Sequence, residues 1–142
     1  MRIILILNLV KGGFRYHMTT QEILLNIIND SCEHLTADKI YFIARQNYPT
    51  ISVATIYRNL TAMTEKGLIG HVAVPAGSAR FDKRAFSHPH GHCPICGEVF
   101  DIPSEDIDRA IEKTMGDLSH SYQLTVSCPC ERCRAAENNN KL

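Results

Sequence analysis

The sequence predicts an α+β chain in two parts, a helical unit ending in a β-hairpin over residues 1–83 and a smaller α/β unit over 84–142. Three observations predict it. Three stretches of helical hydrophobic spacing precede two short extended segments, the chain turns His- and Cys-rich after Arg84, and two C-x-x-C pairs bracket the second part. At 142 residues, 44% hydrophobic and 21% charged, the chain suits one ordinary domain or two small ones and is no disordered tail.

The elements follow in order. The apolar run Ile3–Val10 is too short to span a bilayer. Lys11-Gly12-Gly13-Phe14 follows it in place of a small-residue cleavage site, so it is expected to be a buried helix or strand, or the product of an upstream start codon. Ile23, Leu24, Ile27 and Ile28 recur at helical spacing and predict a helix over 19–31. Thr36 supplies the N-cap of a second helix with Ile40, Ile43 and Ala44 on its buried face. Tyr48-Pro49 ends it, because proline pushes the preceding residue out of the helical region. Ser52 caps a third helix that Gly67 closes, with Val53, Ile56, Leu60 and Met63 inward and Tyr57, Arg58 and Thr61 on the opposite side. Ile69–Val74 and Ala79–Asp82 then read as strands joined by the turn Pro75-Ala76-Gly77-Ser78. Three helices and a hairpin describe a winged helix, whose third helix enters the DNA major groove while the hairpin flanks the backbone.

Beyond Arg84, the segment Ser87–Gly97 is too polar for a core element, and Glu98–Ile102 reads as a strand. Pro103-Ser104 starts a helix with Glu105, Asp106 and Asp108 in its first turn, where the helix dipole favours acids. Its apolar face is Ile107, Ile111, Met115 and Leu118. Tyr122–Ser127 alternates as a half-buried strand, and Ala135–Leu142 reads as a frayed tail. Such a unit buries little apolar surface and needs a staple, a partner or both.

The formal net charge is zero, which by itself argues against nucleic acid. The two parts differ, however: residues 1–84 hold ten Lys/Arg against six Asp/Glu, and 85–142 hold five against nine. A basic half suits a reader of phosphate.

Without a secretory signal a reducing, cytoplasmic compartment is expected, so metal binding outranks disulfides for the six cysteines. Cys93, Cys96, Cys130 and Cys133 form a paired C-x-x-C pattern expected to hold zinc in a closed, structural site, with Cys128 an alternative to Cys130 or Cys133. Cys32, alone beside the first helix, is expected to be buried.

The run Ser52-Val53-Ala54-Thr55-Ile56-Tyr57-Arg58-Asn59-Leu60, then Arg80-Phe81-Asp82, then His88-x-His90-x-x-Cys93-x-x-Cys96-Gly97-x-x-x-Asp101 resembles the ferric uptake regulator family, from about Gly13 to Cys133. The resemblance implies a homodimeric winged-helix repressor, its second part a dimerisation domain, binding palindromic AT-rich double-stranded operators when metal-loaded. Within the family the chain is most similar to the peroxide-sensing branch. That implies a regulatory metal held by His34, Asp82, His88, His90 and Asp101, with oxygen insertion into His34 or His88 releasing metal and DNA. Iron-sensing relatives carry glutamate where Asp101 stands, a histidine where Tyr122 stands and an acid where Pro89 stands. Imidazole with carboxylate suits Fe(II), Mn(II) or Zn(II), and ligands from both parts would link metal affinity to DNA affinity. His92 is expected to be a bystander.

The resemblance also implies that Tyr57 touches thymine methyls or sugar and Arg58 a phosphate or guanine. Arg15, Lys39, Lys66, Arg80 and Lys83 are candidate phosphate contacts, a class that binds any sequence and weakens with salt. One departure is that His17, Thr19 and Thr20 follow Arg15 where the family places a further arginine. The competing readings are a family member sensing metal supply without histidine oxidation, a metal-dependent hydrolase, and a zinc-stabilised interaction module. The chain has no H-E-x-x-H or nucleophile motif, so it is not expected to be an enzyme.

Overall fold

The structure is a computed structural model that describes residues 18–116 and 121–139. The run Ile3–Val10, Arg15 and Leu118 lie outside the described residues.

Three capped helices come first. In α1 (Thr20–Asp30), Thr19 and Glu22 form a capping box: Glu22 N–H donates to the Thr19 hydroxyl at 3.3 Å and Thr19 N–H to Glu22 Oε2 at 2.7 Å. Thr36 and Ser52 cap α2 (Ala37–Asn47) and α3 (Val53–Glu65) by accepting from Lys39 N–H and Thr55 N–H. Gly67, at φ +66°, closes α3, with Leu68 N–H bonded to Met63 O and Gly67 N–H to Thr64 O, a Schellman stop. These helices bury one core of Leu24, Ile28, Ile40, Ala44, Ile56, Leu60 and Met63, joined by Leu35, Ile69 and Phe81. Two expected core residues are outside it. Ile43 and Val53 are 37% and 43% exposed, because each lies a helical step beyond the narrow seam where three helices meet.

The hairpin is β1 (Gly70–Val72) paired antiparallel with β2 (Arg80–Asp82), Gly70 opposite Asp82. A separate three-stranded sheet has the order β4-β3-β5, built from β3 (His90–His92), β4 (Val99–Asp101) and β5 (Thr125–Ser127). The polar Ser87–Gly97 segment, expected to stay out of any core, thus supplies the central strand, and His88 through Cys93 are buried. What polarity argued against, small size permits: a Cβ on Gly91 would strike the Phe100 ring, so the backbone of β3 passes under that ring.

Helix α4 (Glu105–Met115) lies between β4 and β5 in sequence, and α5 (Glu131–Asn139) follows β5. The expected frayed tail is therefore helical as far as Asn139. No residue of α4 is buried: Ile107 and Ile111 are half-buried, and Met115 is 62% exposed. Cys32, expected inside, is exposed in the loop after α1.

Direct bonds join the two sheets. Thr125 Oγ1 donates to Ala73 O at 3.0 Å, and Arg80 Nη2 donates to Gly97 O at 3.3 Å. Among the described residues no helix is long and apolar enough to cross a membrane.

Candidate metal centres

Strand register assembles the first centre. The loop between α1 and α2 is pinned to β2 by a lone bridge, Leu35 opposite Phe81, with Phe81 N–H donating to Leu35 O at 2.9 Å. His34 precedes Leu35 and Asp82 follows Phe81, so the bridge sets these two side chains together. The pairing of β3 with β4 puts His90 opposite Asp101, and His88 stands two residues earlier. One ligand-capable atom from each of His34, Asp82, His88, His90 and Asp101 lies within 4.8 Å of all the others.

The protons on the rings show what the cluster is suited to hold. His34 Nδ1 is 3.1 Å from Val99 O, and His88 Nδ1 is 2.9 Å from Phe86 O. A carbonyl only accepts, so in the neutral rings the proton is on Nδ1 and Nε2 turns a lone pair inward. Burial lowers the His88 pKa, which keeps that ring neutral. The Nε2 atoms face carboxylate oxygens: His88 Nε2 is 2.9 Å and His90 Nε2 3.3 Å from Asp82 Oδ2. His34 Nε2 is 3.0 Å from Asp101 Oδ1 yet buried without a hydrogen-bond partner. Burial opposes ionisation of the Asp82 carboxyl, but its pKa is held below the ordinary carboxylate range, the Arg84 N–H being a donor that favours the charged form. Lone pairs converging on carboxylate oxygens repel unless a cation sits among them. Nitrogen and oxygen donors without sulfur fit a borderline-to-hard divalent ion.

The second centre gathers Cys93, Cys96, Cys130 and Cys133, again with one atom of each within 4.8 Å of the rest. Cys96 and Cys130 sulfurs are 3.7 Å apart, far beyond a disulfide bond. That spacing matches the edge of about 3.8 Å in a tetrahedron with metal–sulfur bonds of about 2.3 Å. Burial opposes ionisation of Cys93, but amides of Cys130, Cys96 and Ile95 overcome it and bring its pKa down to about 6. Burial and the neighbouring thiols push Cys133 up to about 12. Four thiolates cannot share this space without a cation to offset them. Four sulfurs also leave no open position, the mark of a structural zinc site. Cys128 is outside the cluster, its N–H donating to His92 O at 3.1 Å as β5 ends. His92 is buried on β3 and also outside both clusters.

On α3, Tyr57 is 47% exposed with its hydroxyl 3.3 Å from Asp38 Oδ1, and Arg58 is exposed. Lys66 and Lys83 are exposed as well, while Lys39 pairs with Glu33 at 2.8 Å. Arg80 is committed elsewhere: its guanidinium donates to the carbonyls of Ser78 and Gly97 and ties the hairpin to the Cys93–Cys96 turn. The carbonyls of Val99 and Phe86 and the whole role of Arg84 escape sequence reading. Main-chain partners have no residue signature, and Arg84 looks like any surface cation beside Lys83.

Residues 11–126 match the pattern of the ferric uptake regulator family. The chain is 33% identical over 135 residues to the peroxide operon regulator of Bacillus subtilis, covering 92% of each chain. It is 32% identical over 137 residues to the peroxide-responsive repressor PerR of Staphylococcus epidermidis, covering 94% of this chain and 90% of that one. Its fold is similar to the crystal structure of a Campylobacter jejuni peroxide stress regulator, with a TM-score of 0.67 at 28% identity, over 80% of this chain and 87% of that one. With a match over most of its length to both the family pattern and whole relatives, the chain belongs to the ferric uptake regulator family.

Proposed function

We propose that this chain is a metal-dependent, DNA-binding transcriptional repressor that responds to peroxide, a regulator and not an enzyme. The observation that carries the reading is the convergence of donor atoms from the first part, His34 and Asp82, with donors from the second, His88 just before β3, His90 on β3 and Asp101 on β4. A cation there, Fe(II) or Mn(II), clamps the winged helix (residues 1–83) to the second unit (84–142), so metal and DNA affinities are linked. Bound Fe(II) would supply the one-electron chemistry that peroxide needs, and of the three rings that would hold it the family resemblance points to His34 or His88 as the one that gains oxygen. Zinc on Cys93, Cys96, Cys130 and Cys133 staples the second unit. The relatives named for peroxide operons and peroxide response support this assignment.

For DNA, α3 presents Tyr57 and Arg58 to the major groove of a palindromic operator, and Arg15, Lys66 and Lys83 serve the phosphates. Reading a palindrome takes a twofold dimer. The half-covered Ile107 and Ile111 of α4, left without a partner core, are the face for it. Burying an isoleucine contributes about 1.5–3 kcal/mol, and a twofold interface counts it twice. Ile111→Asp is therefore expected to weaken the dimer by more than about 100-fold. Light scattering at micromolar protein reads this as the monomer mass; an unchanged dimer mass moves the interface off α4.

The whole reading is tested by binding DNA with protein loaded with Fe(II) or Mn(II), before and after peroxide. The expected result is metal-dependent binding that peroxide destroys in the Fe(II) form only, with oxygen gained on tryptic peptides holding His34 or His88. Peptides of unchanged mass refute peroxide sensing at this site.

A further inference from the structure

Five donor atoms leave two carboxylate oxygens unaccounted for, and one residue holds both. The backbone N–H of Arg84 donates to Asp82 Oδ1 at 2.9 Å, and the Arg84 guanidinium pairs closely with Asp101 Oδ2. The other oxygens face the imidazoles. Asp82 Oδ2 is 2.9, 3.3 and 3.4 Å from Nε2 of His88, His90 and His34, and Asp101 Oδ1 is 3.2, 3.6 and 3.0 Å from the same atoms. Each aspartate is thus divided, one oxygen toward the centre and one toward Arg84.

We propose that Arg84 is a positioning residue that restricts both aspartates to one-oxygen ligation and thereby sets which metal the regulatory site prefers. The proposal rests on the reading that the five residues hold a divalent cation. A carboxylate can bind a metal through one oxygen or two. A guanidinium holding one of them disfavours the second mode. Five single-atom donors suit an ion that tolerates low coordination numbers. A sixth donor favours Mn(II), which prefers octahedral nitrogen and oxygen surroundings, over Zn(II), which favours four. Asp101 is the movable member: its side chain is 40% exposed and among the described residues its tether outside the centre is the side chain of Arg84, whereas the tether on Asp82 is main chain and survives a change of the Arg84 side chain to Leu, Gln or Lys.

The test uses the full-length protein with its cysteine site filled with zinc, and Co(II) as the probe metal at the second site. Visible d–d absorption of Co(II) weakens as coordination rises from five to six. Arg84→Leu and Arg84→Gln are expected to lower that absorption and to raise the ratio of Mn(II) to Zn(II) affinity by about tenfold, the low end of what losing an outer-shell partner does to a metal site. Arg84→Lys, which keeps a cation against Asp101, is expected to retain the wild-type spectrum. A spectrum and an affinity ratio unchanged in both neutral variants overturn the proposal. A wild-type Co(II) spectrum that survives Asp82→Asn overturns instead the site on which it stands.

Discussion

Asp82→Asn is expected to abolish metal-dependent DNA binding while leaving the protein folded. Asp82 is 4% exposed, and its Oδ2 is the atom that all three imidazoles face. Asparagine has the same shape, and its carbonyl can still accept the Arg84 N–H. Its amide NH2 can also donate to the Nε2 lone pairs, so the variant replaces the cation with hydrogen bonds that satisfy the rings. What disappears is the buried negative charge. Loss of an outer-shell partner alone costs metal sites about 10–100-fold in affinity, so loss of a ligand should exceed about 100-fold. DNA affinity is linked to metal binding by a coupling that typically runs to about 5–150-fold, and the variant should sit at the metal-free end of that range. Titration with Mn(II) followed by paramagnetic resonance reads the first quantity, and fluorescence anisotropy with a DNA fragment retained by the Mn(II)-loaded wild type reads the second. Wild-type DNA affinity with Mn(II) in the variant would remove the clamp from the explanation of function.

The parts of this centre legible in the sequence were those whose spacing is local. The Thr36 and Ser52 N-caps and Gly67 are set by residues within a turn of each other, and the second and third helices form where those caps placed them, whereas the Thr19 capping box went unread. The cysteine pairs were legible for the same reason. Burial was less so, because it depends on how neighbours cross: Ile43 and Val53 fit the helical period and still miss the seam. The His-rich segment misled in the other direction. Its polarity argued against a core element, but His88 and His90 become buried by facing other polar donors, a solution that no hydropathy pattern encodes. Resemblance named the five donors. That they meet follows from the Leu35–Phe81 bridge and the β3–β4 register, which are long-range facts. Arg84 belongs to neither class, since its role comes from one main-chain and one side-chain bond across the same centre.

Cys93→Ser is expected to strip the zinc and unfold the second unit outright. The large apolar cluster lies entirely between residues 24 and 81. Beyond it, among the described residues, the buried apolar ones are few, chiefly Pro89, Val99 and the cysteines Cys93 and Cys130, and the sheet described has three strands of three residues each. Such a unit cannot supply its own core, so the metal must. Structural zinc in small domains contributes about 10–16 kcal/mol at neutral pH. That is as large as the whole net stability of an ordinary domain, about 5–15 kcal/mol, so in a unit with so small a core its loss eliminates the fold instead of weakening it. Cys93 is the most sensitive of the four positions: it is fully buried and receives amides from both turns of the site, and a serine hydroxyl there offers zinc a poor ligand. Cys128→Ser, outside the cluster, is expected to keep zinc and to melt like the wild type. Zinc content with thermal unfolding separates the two variants. Zinc retained in Cys93→Ser and lost in Cys128→Ser would reassign the fourth thiolate, and zinc lost with wild-type melting would mean that the second unit folds on contacts other than the metal.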